Sequence, residues 1–309
     1  MTLLIKPGRD AAENWIKTIT AAIPDLDCRI WPDIGDPEEV KYVLANELPD
    51  DAFAQFPNLK FVAGTAVGVE RILKNKSLPA DIPVIRAANP ERAATMTGWA
   101  LHHVLRHHRH FAQYEENQTA KVWEHLKYLP PEDVRIGVMG LGNLGGTVAR
   151  TLVDLRYDVA GWARSKKDIP GIESFAGPEA FEDFLKRSDI VISILPNTKG
   201  TFKLLNRERL ALLPKGAYVI NAGRGTLLDE TALMEAIDSG ALSGAALDVL
   251  EVEPPADDHP FWDHPKITLT PHYACAGRAV YGAQVIIDAI KDMRAGKPLA
   301  RVVDKSEGY

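Results

Sequence analysis

From Val134 onward, short β-branched runs alternate with amphipathic segments, and this alternation constrains the fold of the 309-residue chain more than any other feature. Six runs have the composition of strands: Val134–Met139, Tyr157–Trp162, Ile190–Leu195, Tyr218–Asn221, Ala245–Val249 and Ile267–Thr270. The helix candidates between them are Leu144–Asp154, Glu179–Lys186 and Glu230–Ser239, the last with Asp229 as its N-cap and Gly240 at its end. Strands separated by helices form parallel sheets, so the pattern predicts a doubly wound α/β domain.

The first hundred residues contain strand candidates of their own, which predict a smaller α/β unit: Leu3–Lys6, Arg29–Trp31, Tyr42–Ala45, Leu59–Ala63 and Val84–Arg86. A helical stretch from about residue 92 to residue 116 then crosses toward the six-strand block, which follows the Pro130-Pro131 turn. The last helix candidate, Ala279–Arg294, has no later strand to join. We therefore expect it to pack on the first domain, which makes that domain discontinuous.

Composition excludes several classes of protein. Hydrophobic residues make up 46% and charged residues 25%, as in soluble globular chains. The net charge of −6 argues against nucleic-acid and membrane partners. Two cysteines cannot form a disulfide framework and fit a reducing compartment. Because the chain also has no signal-peptide pattern and no apolar stretch near ~18 residues, we expect a cytoplasmic protein.

The glycine-rich stretch Gly140-Leu141-Gly142-Asn143-Leu144-Gly145 lies between a predicted strand and a predicted helix. Glycines at such a turn let the backbone approach a pyrophosphate, whose charge the amides and dipole of the helix N-terminus stabilise. Residues 99–274 are therefore predicted to form a Rossmann-like dinucleotide-binding domain. Residues 1–98 and 275–309 are predicted to form a second, smaller α/β domain.

The end of the second strand of this domain indicates which dinucleotide binds. An NAD site normally has an acidic residue there for the ribose 2′-hydroxyl group. This chain instead reads Trp162-Ala163-Arg164-Ser165-Lys166-Lys167, with Arg164 19 residues after Gly145. A guanidinium, a hydroxyl and ammonium groups suit a 2′-phosphate, so NADP(H) is preferred, while NAD(H) and an ordinary solvated basic turn remain alternatives.

Polar side chains follow three further strands, where ligands of doubly wound sheets bind. Arg224 follows the fourth strand, Glu253 follows the fifth, and His272 follows the sixth. A guanidinium can hold a substrate carboxylate in a bidentate pair, and a Glu-His pair can supply and remove a proton. Each residue alone also fits an ordinary structural role, but their convergence at one sheet edge favours a reductase.

Together these motifs resemble the D-2-hydroxyacid dehydrogenase family. The resemblance is carried by the glycine turn, Asn221-Ala222-Gly223-Arg224-Gly225, Asp248-Val249 with Glu253-Pro254, and Pro271-His272. Within the family the chain is most similar to the glyoxylate/hydroxypyruvate reductase A group, through Trp162-Ala163-Arg164-Ser165, Leu195-Pro196-Asn197-Thr198 and the ending Gly308-Tyr309.

The resemblance implies that the smaller domain, residues 1–98 and 275–309, is a flavodoxin-like substrate (catalytic) domain, with the reaction in an interdomain cleft. It also implies a role for each matching residue. Arg224 would orient the 2-keto acid, His272 would be the general acid, and Glu253 would keep His272 protonated. The amides of Val67 and Gly68 would bind the substrate carboxylate. The implied cofactor contacts beyond the glycine turn are Leu195, Pro196, Thr201, Ala222, Gly223 and Asp248. Among these, the Ala222 carbonyl group and Asp248 would face the nicotinamide carboxamide. Two departures, Glu70 and Tyr273, are expected to affect substrate size.

The function implied is the NADPH-dependent reduction of small 2-keto acids, such as glyoxylate or hydroxypyruvate, to 2-hydroxy acids. Two alternatives stay open. One is another member of the family, such as an NAD-dependent phosphoglycerate dehydrogenase. The other is a dinucleotide-sensing scaffold similar to the corepressors of the family, which turnover with the purified protein would distinguish from an enzyme.

Two further features concern metals and partners. His103 and His107 are spaced as metal ligands on a helix, but no third ligand is evident, so we predict no metal site. Trp123 resembles an aromatic residue that, in relatives, contacts the neighbouring subunit and its active site. This resemblance implies a homodimer, with local packing of Trp123 as the equal alternative.

Overall fold

The computed structural model describes residues 1–6, 12–66, 68–87 and 89–305. The chain divides into two compact units, residues 1–91 with 277–309 and residues 92–276. The sequence predicted that the chain passes from one domain to the other at 98/99 and at 274/275, a few residues from the boundaries in the structure. Which unit binds substrate and which binds the cofactor stays a prediction at this point.

The first unit contains a five-stranded parallel sheet of order β2-β1-β3-β4-β5. Its strands are β1 (Thr2–Ile5), β2 (Asp27–Ile30), β3 (Val40–Leu44), β4 (Phe61–Ala63) and β5 (Val84–Ile85). Its helices are α1 (Ala12–Ala22), α2 (Glu70–Leu73), α9 (Ala279–Arg294) and the 3-10 turns Pro37–Glu39 and Ala52–Gln55. Leu3 and Leu4 belong to different hydrophobic cores, so both faces of the sheet are covered.

The prediction that the last helix packs on the first domain is confirmed. Helix α9 has the predicted bounds and joins the core that contains α1. Gly282 allows the contact to be close, because a Cβ at this position would lie 2.3 Å from the Trp15 ring. The C-terminal helix therefore completes a core that the N-terminal residues begin.

The second unit contains a seven-stranded parallel sheet of order β12-β11-β10-β9-β6-β7-β8. Its strands are β6 (Arg135–Met139), β7 (Asp158–Ala163), β8 (Ile172–Ala176), β9 (Ile190–Ser193), β10 (Ala217–Asn221), β11 (Leu242–Leu247) and β12 (Ile267–Leu269). Its helices are α3 (Pro90–His108), α4 (Phe111–Ala120), α5 (Asn143–Asp154), α6 (Phe181–Lys186), α7 (Arg207–Leu210), α8 (Glu230–Asp238) and the 3-10 turns Pro131–Asp133 and Gly225–Leu227. The strand order reverses between β6 and β9, and such a reversal is where doubly wound sheets bind ligands.

Two predictions for this unit are wrong. The sheet has seven strands rather than six, because Ile172–Ala176 forms an edge strand paired with β7. Its alternating, half-exposed residues lack the continuous apolar run of a strand that is buried on both faces. The helical stretch near residues 92–116 is two helices, since His110 adopts a left-handed backbone conformation between α3 and α4.

The side chain of His108 explains where α3 ends. Its ring is buried and hydrogen-bonds the Tyr157 hydroxyl group and the Leu129 carbonyl group, both at 2.8 Å. These contacts attach the end of α3 to the sheet and let the chain turn. Within the ranges described, no helix combines the length and apolar character needed to span a membrane.

Candidate active site

The predicted glycine turn connects β6 to α5. Gly140 has a left-handed φ of 98°, and a Cβ there would lie 2.9 Å from the Ile194 carbonyl oxygen. Gly145 packs even more closely, because a Cβ there would lie 1.8 Å from the Gly140 carbonyl oxygen. A Cβ at Gly142, the N-cap of α5, would meet no described atom within 4 Å. The backbone thus leaves open space at the helix N-terminus, which fits a pyrophosphate.

The loops that follow β9 and β10 lie beside this turn. The Leu195 side chain would touch a Cβ at Gly140, and the Leu195 carbonyl oxygen would lie 2.6 Å from a Cβ at Gly223. The Thr201 hydroxyl group donates to the Pro196 carbonyl oxygen at 2.6 Å and closes the loop after β9. Five predicted cofactor residues therefore come together at the point where the strand order reverses.

The remaining predicted cofactor residues directly follow strands of the seven-stranded sheet or begin the helix after the glycine turn. Asn143 and Leu144 begin α5, and Ala222 is buried directly after β10. Arg164, Ser165 and Lys166 follow β7 and are all exposed. No acidic side chain occupies these three positions after β7. A ligand that binds here would therefore contact basic and hydroxyl side chains.

His272 and Glu253 form a hydrogen-bonded pair, with His272 Nδ1 2.7 Å from Glu253 Oε2. The other oxygen, Oε1, accepts a hydrogen bond from the Leu250 amide at 3.1 Å. Burial raises the pKa of Glu253, but the hydrogen bond and charge of His272, the Leu250 amide and the charge of Arg224 outweigh it. The pKa of this carboxyl therefore lies below its ordinary value, and the group is a carboxylate at neutral pH.

Arg224 lies between β10 and the loop that carries Glu253. A glycine is required after it, since a Cβ at Gly225 would lie 1.9 Å from the Leu250 carbonyl carbon. The Arg224 guanidinium donates to the Gly223 carbonyl oxygen at 2.7 Å, and its charge lowers the pKa of Glu253. The structure therefore brings the three predicted catalytic side chains to one edge of the sheet.

Asp248 lies at the end of β11 and is only 3% exposed. Its Oδ1 accepts from the Thr270 hydroxyl group at 2.5 Å and from the Tyr273 amide at 2.7 Å. Its Oδ2 accepts from the Ala274 amide at 2.8 Å. Asp248 thus binds the turn that carries His272, a role that the sequence did not indicate, and its contact with a nicotinamide stays a prediction.

The predicted substrate amides lie in the first unit, after β4. Val67 falls outside the described residues, as do Gly308 and Tyr309. Gly68 is half-buried in the loop before α2, which begins at Glu70. The amides of Thr65 and Ala66 both donate to the Asn46 side-chain oxygen, at 2.9 and 3.1 Å.

Sequence reasoning missed Trp99 and Thr270 in the second unit, and Asn46, which holds the loop after β4 in the first unit. The Trp99 indole donates to the Thr270 hydroxyl group at 3.0 Å across 171 residues of chain. No local pattern reports such a contact. The Thr270-Pro271-His272 order was a signal for Thr270, since Thr270 directly precedes Pro271 and the predicted general acid His272. Tyr273, one of the two departures, is 65% exposed beside His272.

The histidines of α3 pack against aromatic rings. His103 is 2% exposed with its ring centroid 4.3 Å from that of Trp99, and His107 stacks on Tyr218 at 4.3 Å. Burial and neighbouring charges lower the pKa of both histidines to about 4. Across the ranges described, no group of three or more His, Cys, Asp or Glu side chains is arranged to hold a metal ion.

Trp123 lies after α4 with 96% of its surface exposed. This exposure contradicts the alternative that Trp123 packs locally. Other exposed apolar side chains occur in the same stretch: Phe111, Tyr114, Val122, Tyr128 and Leu129.

Comparison with known proteins identifies the family to which these motifs belong. Residues 101–274 match the model of the D-isomer specific 2-hydroxyacid dehydrogenase NAD binding domain. The glyoxylate/hydroxypyruvate reductase A proteins of Serratia proteamaculans and Salmonella newport are 36% and 34% identical to this chain, over 96% of each chain.

Solved structures extend the similarity to the whole fold. A D-isomer specific 2-hydroxyacid dehydrogenase from Xanthobacter autotrophicus, solved with NADPH and MES, is 39% identical with a TM-score of 0.95, covering 100% of this chain and 99% of that one. The NADPH-dependent glyoxylate/hydroxypyruvate reductase from Sinorhizobium meliloti, solved with NADP and sulfate, is 31% identical with a TM-score of 0.94 over 100% of both chains. The chain therefore belongs to the D-isomer specific 2-hydroxyacid dehydrogenase family and is an NAD(P)-dependent oxidoreductase.

Proposed function

We propose that this enzyme uses NADPH to reduce small 2-keto acids, with glyoxylate and hydroxypyruvate as candidate substrates. The observation that carries the proposal is the 2.7 Å pair of His272 and Glu253 in the field of the Arg224 charge. A keto acid needs a proton for its carbonyl oxygen and a cation for its carboxylate, and these side chains provide both. The names of the Serratia and Salmonella relatives support the same substrates.

The cofactor site fits a dinucleotide phosphate. Gly142 leaves room for a pyrophosphate at the N-terminus of α5, and Arg164, Ser165 and Lys166 offer donors for a 2′-phosphate. NADPH in the Xanthobacter relative and NADP in the Sinorhizobium relative support this preference. Bound NADPH would supply a hydride to the carbonyl carbon of the substrate.

The side chains of the chain itself perform the remaining steps. Because Nδ1 of His272 is held by Glu253, Nε2 is the nitrogen that donates a proton to the substrate oxygen. The carboxylate of Glu253 favours the protonated imidazole. Arg224 binds the substrate carboxylate through its planar guanidinium.

The experiment is a turnover assay with the purified protein. NADPH and NADH oxidation are followed with glyoxylate, hydroxypyruvate, pyruvate and a longer 2-keto acid. We expect reduction of glyoxylate and hydroxypyruvate, with a preference for NADPH. Oxidation of 3-phosphoglycerate with NAD instead would favour a phosphoglycerate dehydrogenase, and NADPH binding without any turnover would favour a scaffold.

We also propose that the protein is a homodimer in which Trp123 contacts the second copy. A tryptophan that is 96% exposed, in a stretch with five further exposed apolar side chains, is typical of an interface. Light scattering of the wild type and of Trp123→Ser tests the proposal, with Trp262→Ser as a control at another exposed tryptophan. A monomeric wild type contradicts it.

The cytoplasmic location is the last part of the proposal. Cys28 and Cys275 are free thiols, and burial raises the pKa of Cys28 to about 11, which leaves it mostly protonated at neutral pH. Such thiols persist in a reducing compartment. Cell fractionation with an antibody to the protein tests the location.

A further inference from the structure

Three side chains from distant parts of the second unit form one hydrogen-bonded series. The Trp99 indole on α3 donates to the Thr270 hydroxyl group at 3.0 Å, and that hydroxyl group donates to the Asp248 carboxylate at 2.5 Å. From this series we propose that Thr270 is a positioning residue for His272, and that Trp99 orients the Thr270 hydroxyl group. The proposal rests on the proposed function, in which His272 donates the proton.

The backbone of His272 needs to be held. Its φ of 52° lies in the left-handed region, which non-glycine residues adopt only where surrounding contacts enforce it. Asp248 supplies these contacts. Its carbonyl oxygen accepts from the His272 amide at 2.8 Å, and its carboxylate accepts from the amides of Tyr273 and Ala274. Asp248 therefore holds three consecutive amides of the turn.

Thr270 determines how the Asp248 carboxylate is oriented. A carboxylate that is 3% exposed is stable only when hydrogen-bond donors satisfy its oxygens. A hydroxyl group has one proton to donate. Because Thr270 accepts from the Trp99 indole, its own proton is directed toward Asp248 Oδ1, and hydrogen bonds in such a series strengthen one another.

The Trp99 ring is itself fixed by packing. Its centroid lies 4.3 Å from that of His103, which is 2% exposed. The series therefore runs from a packed aromatic pair on α3 to the turn after β12. At its far end, the His272 ring reaches Glu253 only while the turn keeps its conformation.

The test compares variants that change only hydrogen bonds. Thr270→Val removes the hydroxyl group with little change in volume, Thr270→Ser retains it, and Trp99→Phe removes the indole donor. The matched control is Thr268→Val, two residues earlier in β12, because Thr268 forms a side-chain hydrogen bond with Tyr218 instead. Turnover number, KM for the keto acid and Kd for NADPH are measured for each.

We expect Thr270→Val to lower the turnover number by about 10- to 100-fold, because a displaced catalytic group loses its alignment with the substrate. Kd for NADPH should change by less than about twofold, since the glycine turn is untouched. Thr270→Ser should restore most of the turnover, Trp99→Phe should be intermediate, and Thr268→Val should match the wild type. An unchanged Thr270→Val, an equal loss in Thr270→Ser, or an equal loss in Thr268→Val would each overturn the proposal.

A second measurement keeps this proposal separate from the proposed function. The NMR signal of the His272 imidazole ring is assigned in histidine-labelled protein, because this signal is lost in His272→Gln. We expect this signal to shift or broaden in Thr270→Val and to stay unchanged in Thr268→Val. If the wild type reduces no keto acid, the proposed function fails while this spectrum still tests the positioning. Identical His272 signals in Thr270→Val and the wild type would overturn it.

Discussion

His272 Nδ1 lies 2.7 Å from Glu253 Oε2, although 19 residues separate the two in sequence. The pair joins the turn after β12 to the loop after β11. A second pair, His264 with Asp238 at 3.2 Å, lies before β12 at the other end of the strand. It therefore provides matched controls for substitutions in the first pair.

Replacing His272 by Gln removes the proposed proton donor. We expect His272→Gln to lower the turnover number by about 100- to 10,000-fold, the usual contribution of a positioned general acid. NADPH binding should persist, because the glycine turn is intact. Steady-state kinetics and fluorescence titration with NADPH check both points. His264→Gln is the control, and a His272→Gln variant with near-normal turnover would contradict the catalytic assignment.

Replacing Glu253 by Gln should change the pH profile more than the maximal rate. Despite burial, the pKa of Glu253 is lowered by His272, the Leu250 amide and Arg224, so the wild-type group is charged through the neutral range. Without this charge the protonated imidazole loses its partner. The alkaline limb of the reduction profile should therefore move to lower pH.

Turnover against pH is measured for Glu253→Gln and the control Asp238→Asn. Superimposable profiles of wild type and Glu253→Gln would contradict the relay.

Arg224 should bind the substrate through the geometry of its guanidinium. Arg224→Lys keeps the charge and loses the bidentate fork, so we expect kcat/KM for keto acids to fall by at least about tenfold, which corresponds to 1.4 kcal/mol. Kd for NADPH should barely change. Arg135→Lys is a suitable control, because it breaks a bidentate pair with Asp189 at the start of β6. Equal losses of substrate and cofactor binding in Arg224→Lys would indicate a structural role.

Cofactor preference should depend on Arg164. Arg164→Asp places a carboxylate near the proposed 2′-phosphate, so the ratio of kcat/KM for NADPH over NADH should fall by about tenfold for each 1.4 kcal/mol lost. Lys215→Asp makes the same change in net charge at an exposed residue before β10, away from the carboxyl ends of the strands. A wild type that prefers NADH would refute this assignment.

The half-buried His107 should make stability depend on pH. Burial first, and then the charges of His110 and His108, lower the pKa of His107 to about 4, whereas an unfolded histidine titrates near about 6.5. Between these values only the unfolded state binds the proton, so stability falls as the pH decreases. His107→Phe preserves the ring stack on Tyr218 and removes the protonation.

We therefore expect the free energy of unfolding of His107→Phe to rise relative to the wild type by about 1 kcal/mol per pH unit as the pH falls from ~6.5 to about 4. Above this range the difference should be constant. Urea unfolding across the pH range measures it. A difference that does not vary with pH would show that His107 is not buried in its neutral form.

Local patterns in the sequence determined the elements that depend on periodicity, capping and glycine. The bounds of α9, the Asp229 N-cap of α8 and the turn from Gly140 to Gly145 were all predicted, since each depends on a few consecutive residues. The edge strand β8 was not predicted, because its short alternating pattern forms a strand only through its pairing with β7.

The same division applies to the site. Placing Arg224, Glu253 and His272 after neighbouring strands followed from the rule that parallel strands end at one edge. The left-handed turn at His272 and its attachment through Asp248, Thr270 and Trp99 did not follow, because those partners come together only when α3 packs beside the sheet. Sequence alone determined which chemical groups stand at the edge. Tertiary packing decided how they are held, since hydrogen bonds between residues 171 positions apart have no signature in local sequence.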